Sequence, residues 1–341
     1  MIKMQLEDKI KRLEDFLRNK KSVLGFSAGS DSTLLAYVLS KVSPDSLLVT
    51  VNNNMMPKEF IEYTRKQARK FNLKHEVINL DFLTKETFIN NGPERCYECR
   101  KLMYHNISQM PEFVEYEYFL EGTNITDLLE DRPGILVLEM FGMTSPLVEC
   151  GITKDDVFDM INYFGLEYSY DTTCLATRVK TNQKVTNERL EMIQNAEDFV
   201  RKNVKQENVR VRFDNCNAVI SVDEPLEMLD EKMIVLLRER IQEIGFGKVF
   251  LDITGYEKTK LTESVDDDGN YYYQLPYQID LERTLESIES KSYLDGNVSL
   301  DDYLSYDDIR IEKNGKVSMP PTDEFTDKFY SILSCIKRKG I

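Results

Sequence analysis

The sequence predicts an α/β protein whose mainly parallel sheet is covered by helices on both faces. Short apolar runs alternate with amphipathic helical patterns along the first half of the chain, and turn residues separate them. This alternation is typical of strands joined by crossover helices. A length of 341 residues allows a sizeable core and, at roughly 150 residues a domain, about two domains. Ligands of such sheets gather at the carboxyl ends of the strands, where we expect the site residues.

The elements of this sheet follow one another from the N-terminus. Residues 1–20 have the spacing of an amphipathic helix, and further helical patterns occupy 31–42 and 57–71. Strands are predicted at four apolar runs, 22–27, 45–52, 75–81 and 115–123. We assign residues 1–184 to this first domain.

A second, smaller unit is predicted at residues 185–261. It opens with a helix capped by Thr186 and continues with two alternating strands, a helix and a third strand, which indicates a small α+β domain. Residues 262–341 form an acidic extension that contains eight of the 18 tyrosines. Because disordered tails are usually poor in aromatic residues, we expect this extension to fold onto the body or onto a neighbouring subunit.

Charge and hydropathy weigh against several classes of partner. The chain has 59 acidic and 44 basic residues and a formal net charge of −15, which repels the phosphate backbone of nucleic acids. No apolar stretch approaches the roughly 18 residues of a membrane span, and the N-terminal segment lacks the apolar core of a signal peptide. We therefore expect a cytoplasmic protein without a membrane or nucleic-acid partner, whose six cysteines are reduced, metal-bound or catalytic.

A phosphate-binding loop is predicted at SAGSDST, between the first strand and the next helix. Small residues let the backbone approach a ligand, and the start of the helix offers unpaired N–H groups. The loop differs from the P-loop of GTPases because no lysine follows its glycine. A serine-capped turn is the plainer alternative. Asp31 is the candidate magnesium ligand, and the candidate binding residues are Ser27, Gly29, Ser30, Asp31, Ser32 and Thr33.

Three cysteines form the second candidate site. Cys96 and Cys99 are spaced as a CxxC pair in RCYEC, and Cys174 opens the segment CLATR. In a reduced protein such a pair indicates a redox couple, half of a zinc site or ligands of an iron–sulfur cluster. Zinc needs four ligands, whereas three cysteines hold three irons of a cubane and leave the fourth iron open. Inert buried thiols are the remaining alternative.

The motifs together resemble a known family. SAGSDST is similar to the Ser-Gly-Gly-x-Asp-Ser loop of PP-loop ATP pyrophosphatases, with Ala28 in place of the first glycine. RCYEC, GTNITD with RPG, SPL and CLATR then follow in the order seen in the LarE-like ATP-dependent sulfur transferases, which build the nickel-pincer nucleotide of lactate racemase. The similarity covers residues 5–260. It implies a PP-loop (adenine nucleotide alpha hydrolase-like) α/β domain followed by a small α+β domain.

This resemblance implies a reaction. The family's enzymes use ATP and magnesium to adenylylate a carboxylate of a pyridinium mononucleotide, and sulfur then displaces AMP. Cys174 matches the cysteine that single-cysteine members sacrifice as the sulfur donor. Three-cysteine members hold a 4Fe–4S cluster with the equivalents of Cys96, Cys99 and Cys174. Since sacrifice gives no reason for the CxxC pair, we favour the cluster, reloaded by sulfide or another sulfur donor.

Further site residues follow from the motifs. Asn124, Asp127 and Arg132 lie in the GTNITD and RPG stretches and are expected to shape the site. Arg178 is treated as a catalytic residue, since it follows the third cysteine closely and, like Arg95, can hold a carboxylate or phosphate. The resemblance makes the strand residue Arg212 a candidate for the substrate phosphate. The family's second phosphate-binding arginine has no clear match, and Lys258 stands in that region.

The resemblance also implies a ring-like homo-oligomer, and the sequence leaves two other functions open. A PP-loop tRNA thiolase combines the same loop with three cysteines, but the acidic balance and the lack of a basic RNA-binding module weigh against it. A non-catalytic nucleotide-binding protein would account for Ala28 as the loss of a required glycine.

Overall fold

A five-stranded parallel sheet forms the first domain of the computed structural model, which describes residues 6–110, 114–169, 173–206, 208–255, 261–291, 294 and 296–340. All neighbouring strands of this sheet are parallel, which confirms the predicted α/β class. The order is β3-β2-β1-β4-β5 and reverses between β1 and β4, where sheets of this kind bind ligands. The strands are β1 (Ser22–Gly25), β2 (Leu47–Asn52), β3 (Lys74–Asn79), β4 (Tyr118–Leu120) and β5 (Met143–Thr144).

Helices cover both faces of this sheet. One face is covered by α1 (Leu6–Leu17), α2 (Ser30–Val42), α3 (Phe60–Phe71), α7 (Pro146–Glu149) and α8 (Lys154–Phe164). The short α4 (Glu86–Ile89) leads into α5 (Arg95–Ser108), which covers the other face with α6 (Leu136–Met140). The first five residues of β2 are buried, as expected for a strand between two helical layers. Within the described ranges, no helix has both the length and the apolar character needed to cross a bilayer.

The second unit has the predicted order of elements. Thr186 caps its first helix by accepting a hydrogen bond from the N–H of Arg189. Strands β6 and β7 are antiparallel and β8 runs parallel to β7, so the three form a separate small sheet. The elements are α9 (Asn187–Asn203), β6 (Val209–Asp214), β7 (Asn217–Val222), α10 (Glu231–Ile244) and β8 (Val249–Leu251).

The acidic extension is folded around a sheet of its own. Six antiparallel strands take the order β11-β12-β13-β14-β10-β9, and the segment DDDGN joins β9 to β10. Tyr271 and Tyr273 pack edge-on against Phe325 and Phe329, with ring centroids 5.9 and 5.4 Å apart. The elements are β9 (Ser264–Val265), β10 (Tyr271–Gln274), α11 (Leu281–Glu289), β11 (Val298–Leu300), β12 (Leu304–Tyr306), β13 (Ile309–Ile311), β14 (Lys316–Met319) and α12 (Phe325–Leu333).

This C-terminal unit is packed against the first domain. Ile125 and Leu129, which follow β4, are buried in the hydrophobic core of the C-terminal unit. Lys291 forms an ion pair with Glu149 at the end of α7. The extension therefore contacts the loop that leaves the carboxyl end of β4.

Candidate functional site

The loop after β1 turns through an alanine in the left-handed conformation. Ala28 has a φ of 58° and is fully buried, and its carbonyl accepts a hydrogen bond of 2.8 Å from the N–H of Ser169. An L-residue is strained by about 1–2 kcal/mol in this region, where glycine is not. The position at which the PP-loop pattern has glycine does need a positive φ, and this chain holds it with alanine.

The loop then opens α2 with polar groups directed at its start. Gly29 is the N-cap of α2 and has no side chain, so the N-cap residue provides no side-chain acceptor to the first N–H groups of the helix. The hydroxyls of Ser27 and Ser32 lie 3.3 Å apart. The buried hydroxyl of Thr33 has no hydrogen-bond partner among the described residues. Such groups at a helix start favour the binding of phosphate.

Asp31 is held from two sides by residues of other segments. The Nζ of Lys154 lies 2.5 Å from one carboxylate oxygen, and the amide of Asn124 donates a hydrogen bond of 3.0 Å to the other. Lys154 also donates a hydrogen bond of 2.7 Å to the hydroxyl of Ser30. An ammonium group therefore stands beside the phosphate loop, where it can bind the phosphates of ATP.

The segment after β4 lies directly against this loop. A Cβ built on Gly122 would come within 3.2 Å of the Asp31 Cβ, so the close approach depends on glycine. Asn124 and Asp127 form a reciprocal capping box on the 3₁₀ helix Ile125–Leu129. Burial raises the pKa of Asp127, and the Arg132 guanidinium, 2.7 Å away, opposes that rise. Asn124 thus reaches the SAGSDST loop, and the Asp127–Arg132 pair holds the shape of its segment.

A cavity of about 370 Å³ opens beside the loop at the carboxyl ends of β1, β2 and β4. Cys96, Cys99 and Cys174 all line it, together with Ser27 of the loop and Gly122. The structure thus brings the two candidate sites of the sequence into one cavity.

Two of the three thiols in this cavity have raised pKa values. Burial raises the pKa of the Cys99 thiol to about 12, and the neighbouring Cys174 and Cys96 add to that rise. Burial also raises the pKa of Cys174. In the described part of the chain, no three His, Cys, Asp or Glu side chains form a group that could hold a metal ion. Cysteine sulfurs are the usual ligands of iron–sulfur clusters, so the donor set fits the predicted cluster in its chemistry, and the cluster stays a prediction.

Two polar residues hold the cysteine segments together. Arg95, at the start of α5, donates hydrogen bonds to the side chain of Asn91 and, at 2.9 Å, to the carbonyl of Ala176. The buried amide of Asn91 donates to the carbonyls of Val179 and Lys180 at 3.1 and 2.9 Å. The segment that carries the CxxC pair is therefore tied to the segment that follows the third cysteine.

Two predicted arginines lie outside the cavity lining. Arg178 is buried, with its Nε 3.0 Å from a carboxylate oxygen of Glu197 and its Nη1 3.2 Å from the carbonyl of Cys174. It therefore holds the backbone at the third cysteine, and its predicted contact with substrate stays a prediction. Arg212 projects from β6 and donates a hydrogen bond of 2.6 Å to Ser221. Lys258 lies outside the described residues.

Sequence reasoning missed two cations at the site. Lys154 follows the capping residue Thr153, and the capping pattern of this helix start, a short loop after the SPL motif, was its available signal. Arg100 lines the cavity from α5. With Cys96 and Cys99 it has the spacing i, i+3, i+4, which places all three on one helix face.

The parallel sheet, its switch point and the SAGSDST loop define an α/β protein of the PP-loop type. The chain is 31% identical over 245 residues to the uncharacterized protein MJ0830 of Methanocaldococcus jannaschii, a match that spans 72% of this chain and 94% of that protein. The chain belongs to the same family as MJ0830. No model of a known protein family matches it.

Two enzymes of named activity are more distant relatives. The chain is 24% identical over 248 residues to the pyridinium-3,5-bisthiocarboxylic acid mononucleotide synthase of Lactiplantibacillus plantarum, with 71% of this chain and 89% of that enzyme aligned. It is 24% identical over 139 residues to a glutamine-hydrolysing GMP synthase of Thermosipho africanus, with 37% of this chain and 26% of that enzyme aligned.

Proposed function

We propose that the protein is an ATP-dependent sulfurtransferase that adenylylates a carboxylate of a pyridinium mononucleotide and replaces the AMP with sulfur. The observation that carries the proposal is the single cavity lined by Ser27 of the ATP loop and by the three thiols. Activation and sulfur transfer act on the same carboxyl group, so the protein groups that serve the two steps have to meet in one place. Similarity to the bisthiocarboxylic acid mononucleotide synthase supports the reaction, and similarity to GMP synthase supports the use of ATP.

In the first step, an oxygen of the acceptor carboxylate attacks the α-phosphorus of ATP. A new P–O bond forms, the bond to pyrophosphate breaks, and pyrophosphate leaves with the bonding electrons. The N–H groups at the start of α2 and the ammonium of Lys154 would stabilise the charge that develops on the departing phosphates. Asp31 would hold magnesium.

In the second step, a sulfur nucleophile attacks the carbonyl carbon of the acyl adenylate. A C–S bond forms, the C–O bond to AMP breaks, and the acceptor is left as a thiocarboxylate. With sulfide as the nucleophile, the thiocarboxylate forms directly; with Cys174 as the nucleophile, a thioester forms first and the Cβ–S bond of Cys174 then has to break, which leaves dehydroalanine. The predicted 4Fe–4S cluster would be held by Cys96, Cys99 and Cys174, and when bound it would supply sulfide at this place.

The experiment is a product analysis with ATP, magnesium, sulfide and nicotinic acid mononucleotide as the trial acceptor. We expect AMP and pyrophosphate, and an acceptor in which one oxygen has been replaced by sulfur. Asp31→Ala should abolish magnesium-dependent ATP binding, because it removes the carboxylate of the loop that would hold magnesium. Formation of ADP and phosphate would contradict the proposal.

The predicted homo-oligomer belongs to the same proposal. Several large apolar side chains of the second unit are exposed, namely Leu226, Leu229, Ile234, Leu236, Phe250 and Ile253. Exposed apolar surface of this kind is typical of protein–protein contacts. Light scattering should find more than one chain per particle, and Ile234→Lys with Leu236→Lys should reduce that number.

A further inference from the structure

Arg100 lines the cavity, and one of its buried nitrogens has no hydrogen-bond partner among the described residues. Its Nη1 is buried, and no acceptor among the described residues forms a hydrogen bond with it. The paired acid, Glu121, places a carboxylate oxygen 3.9 Å from this nitrogen, which is beyond hydrogen-bonding distance. A buried donor without an acceptor is unfavourable, so the position is suited to an acceptor supplied by a ligand.

Glu121 is occupied by other donors. Its two oxygens accept hydrogen bonds of 2.9 and 2.7 Å from the N–H and the hydroxyl of Thr123, and a further one from the hydroxyl of Ser145. These three donors hold the carboxylate of Glu121 towards Thr123 and Ser145. Closing the gap to Arg100 would weaken them, so the guanidinium keeps its capacity for another anion.

The stem of Arg100 is fixed in its direction. A Cβ built on Gly134 would lie 2.7 Å from the Arg100 Cδ, so the stem packs directly against backbone. On α5, Arg100 lies on the same face as Cys96 and Cys99, and all three line the cavity together with Ser27 of the SAGSDST loop. The guanidinium is therefore held beside the thiols and in the cavity that the loop reaches.

We propose that Arg100 binds the acceptor's free carboxylate, so that the substrate is a small molecule recognised as a carboxylic acid and not as its amide. This inference rests on the proposed function. The planar fork of arginine donates two parallel hydrogen bonds to a carboxylate, which orients the group as well as binding it. Adenylylation removes the negative charge from that group, so the contact weakens when the carbon has to meet sulfur.

The test compares two ligands that differ at one group. Calorimetry measures the dissociation constants of nicotinic acid mononucleotide and nicotinamide mononucleotide for the wild type, Arg100→Met and Arg100→Lys. We expect the wild type to bind the acid about tenfold more tightly than the amide. Arg100→Met should bind the two equally, and Arg100→Lys should keep part of the preference because it keeps the charge. Arg240→Met, on the exposed part of α10, is the matched control and should keep the full preference.

Three results would overturn the inference. A preference for the acid that survives in Arg100→Met would place the carboxylate elsewhere. An equal loss of affinity for both ligands would assign Arg100 to the phosphate. Failure of the wild type to bind either ligand would contradict both the proposed substrate class and the proposed role of Arg100. ATP binding by each variant shows that the protein is folded, and AMP formation separately tests the proposed reaction, so the two failures are distinguishable.

Discussion

The phenol of Tyr277 donates a hydrogen bond of 2.6 Å to the backbone carbonyl of Leu128. Leu128 belongs to the 3₁₀ helix that Asn124 caps, and Asn124 in turn contacts Asp31 of the SAGSDST loop. A second link lies next to the first, because the Nη1 of Arg338 is 2.6 Å from a carboxylate oxygen of Asp131. The C-terminal unit therefore holds the segment that presents Asn124 to the proposed ATP site.

Loosening this contact should weaken ATP binding. Burial raises the pKa of Tyr277, so its phenol stays protonated and remains a donor. Each hydrogen bond contributes about 1 kcal/mol, so Tyr277→Phe and Arg338→Ala should each raise the KM for ATP roughly fivefold. ATP–pyrophosphate exchange measures this. Arg310→Ala, whose side chain is half exposed and pairs with Glu312 within the C-terminal unit, is the control and should leave KM unchanged. An unchanged KM in both test variants would show that the C-terminal unit does not act on the site.

Lys154 should be needed for ATP cleavage itself. Its ammonium lies beside Ser30 and Asp31, where a phosphate of ATP would gain charge on leaving. Removing one such group typically costs about a hundredfold in rate, so Lys154→Met should lower AMP formation by about that factor. Lys154→Arg should retain part of the rate, because it keeps the charge. Lys180→Met, an exposed lysine paired with Asp214, is the control. A normal rate in Lys154→Met would exclude the lysine from the chemistry.

His75 should make the protein less stable as the pH falls. Burial and Arg65 lower the pKa of His75 from 6.5 to about 4, so the folded state keeps the ring neutral while the unfolded chain binds a proton. The hydroxyl of Thr50 donates to the carbonyl of Phe26, so His75 Nε2 donates to that hydroxyl, and the neutral ring suffices for this bond. The contribution is present above pH 6.5 and is lost between pH 6.5 and about 4.

We expect the contribution of His75 to the free energy of unfolding to fall by about 1–2 kcal/mol. This is less than the full pKa shift would give, because the ring is partly exposed. Urea unfolding at pH 7.5 and pH 5 measures it as the difference between wild type and His75→Gln. His105→Gln, which changes the other, exposed histidine, is the matched control. Equal pH dependence in wild type and His75→Gln would refute the assignment.

The left-handed Ala28 predicts an asymmetric response to substitution. Ala28→Gly removes strain but adds chain entropy to the unfolded state and loses a buried methyl group, so stability should change by less than about 1 kcal/mol. Ala28→Val places a β-branched residue at positive φ and should destabilise the protein by about 2–3 kcal/mol. Ala36→Val, at a buried position inside α2, controls for overpacking alone. Equal urea midpoints for the two valine variants would show that backbone strain is not the cause.

The fold could be predicted from the sequence wherever a pattern was long enough to repeat. The runs 22–27 and 45–52 contain β1 and β2, because buried strands of four to six residues leave a clear apolar signal. The run 75–81 covers all of β3 except its first residue, Lys74, although the residues of β3 are exposed or half-buried. Strand β5 has only two residues, which is too short for any period. The C-terminal sheet was missed for the same reason, since its strands have two to four residues.

The site could be predicted where its residues are contiguous. Ser27 and Asp31 stand in one motif, and the requirement of that motif for a positive φ pointed to Ala28. Lys154 and Arg100 are distant in sequence from that loop, and only the packing of α8 and α5 brings them to the site. Alternation along a strand indicates which residues share a face, but it carries no information about the distance from that face to the cavity.

Replacing the third cysteine should separate the two halves of the reaction. Cys174→Ser removes the sulfur while Ser27 and the rest of the ATP loop stay in place. We expect this variant to form AMP and pyrophosphate in the presence of acceptor and to incorporate no sulfur. Cys216→Ser, at an exposed position of the second unit, is the control and should transfer sulfur normally. Sulfur incorporation by Cys174→Ser would show that this cysteine is not needed for sulfur transfer by either route.

Iron content and turnover number distinguish between the two routes by which the sulfur could be supplied. A sacrificed cysteine is consumed, so it limits each chain to one sulfur and needs neither Cys96 nor Cys99. A cluster needs all three thiols, and its open iron can be reloaded by sulfide. Because all three thiols line the cavity, we expect anaerobic reconstitution to give about four irons per chain and a thiolate-to-iron absorption band. Cys96→Ala, Cys99→Ala and Cys174→Ala should each abolish both, and the wild type should turn over repeatedly with added sulfide. A single turnover by an iron-loaded sample, with Cys174 converted to dehydroalanine in its mass spectrum, would establish the sacrificial route instead.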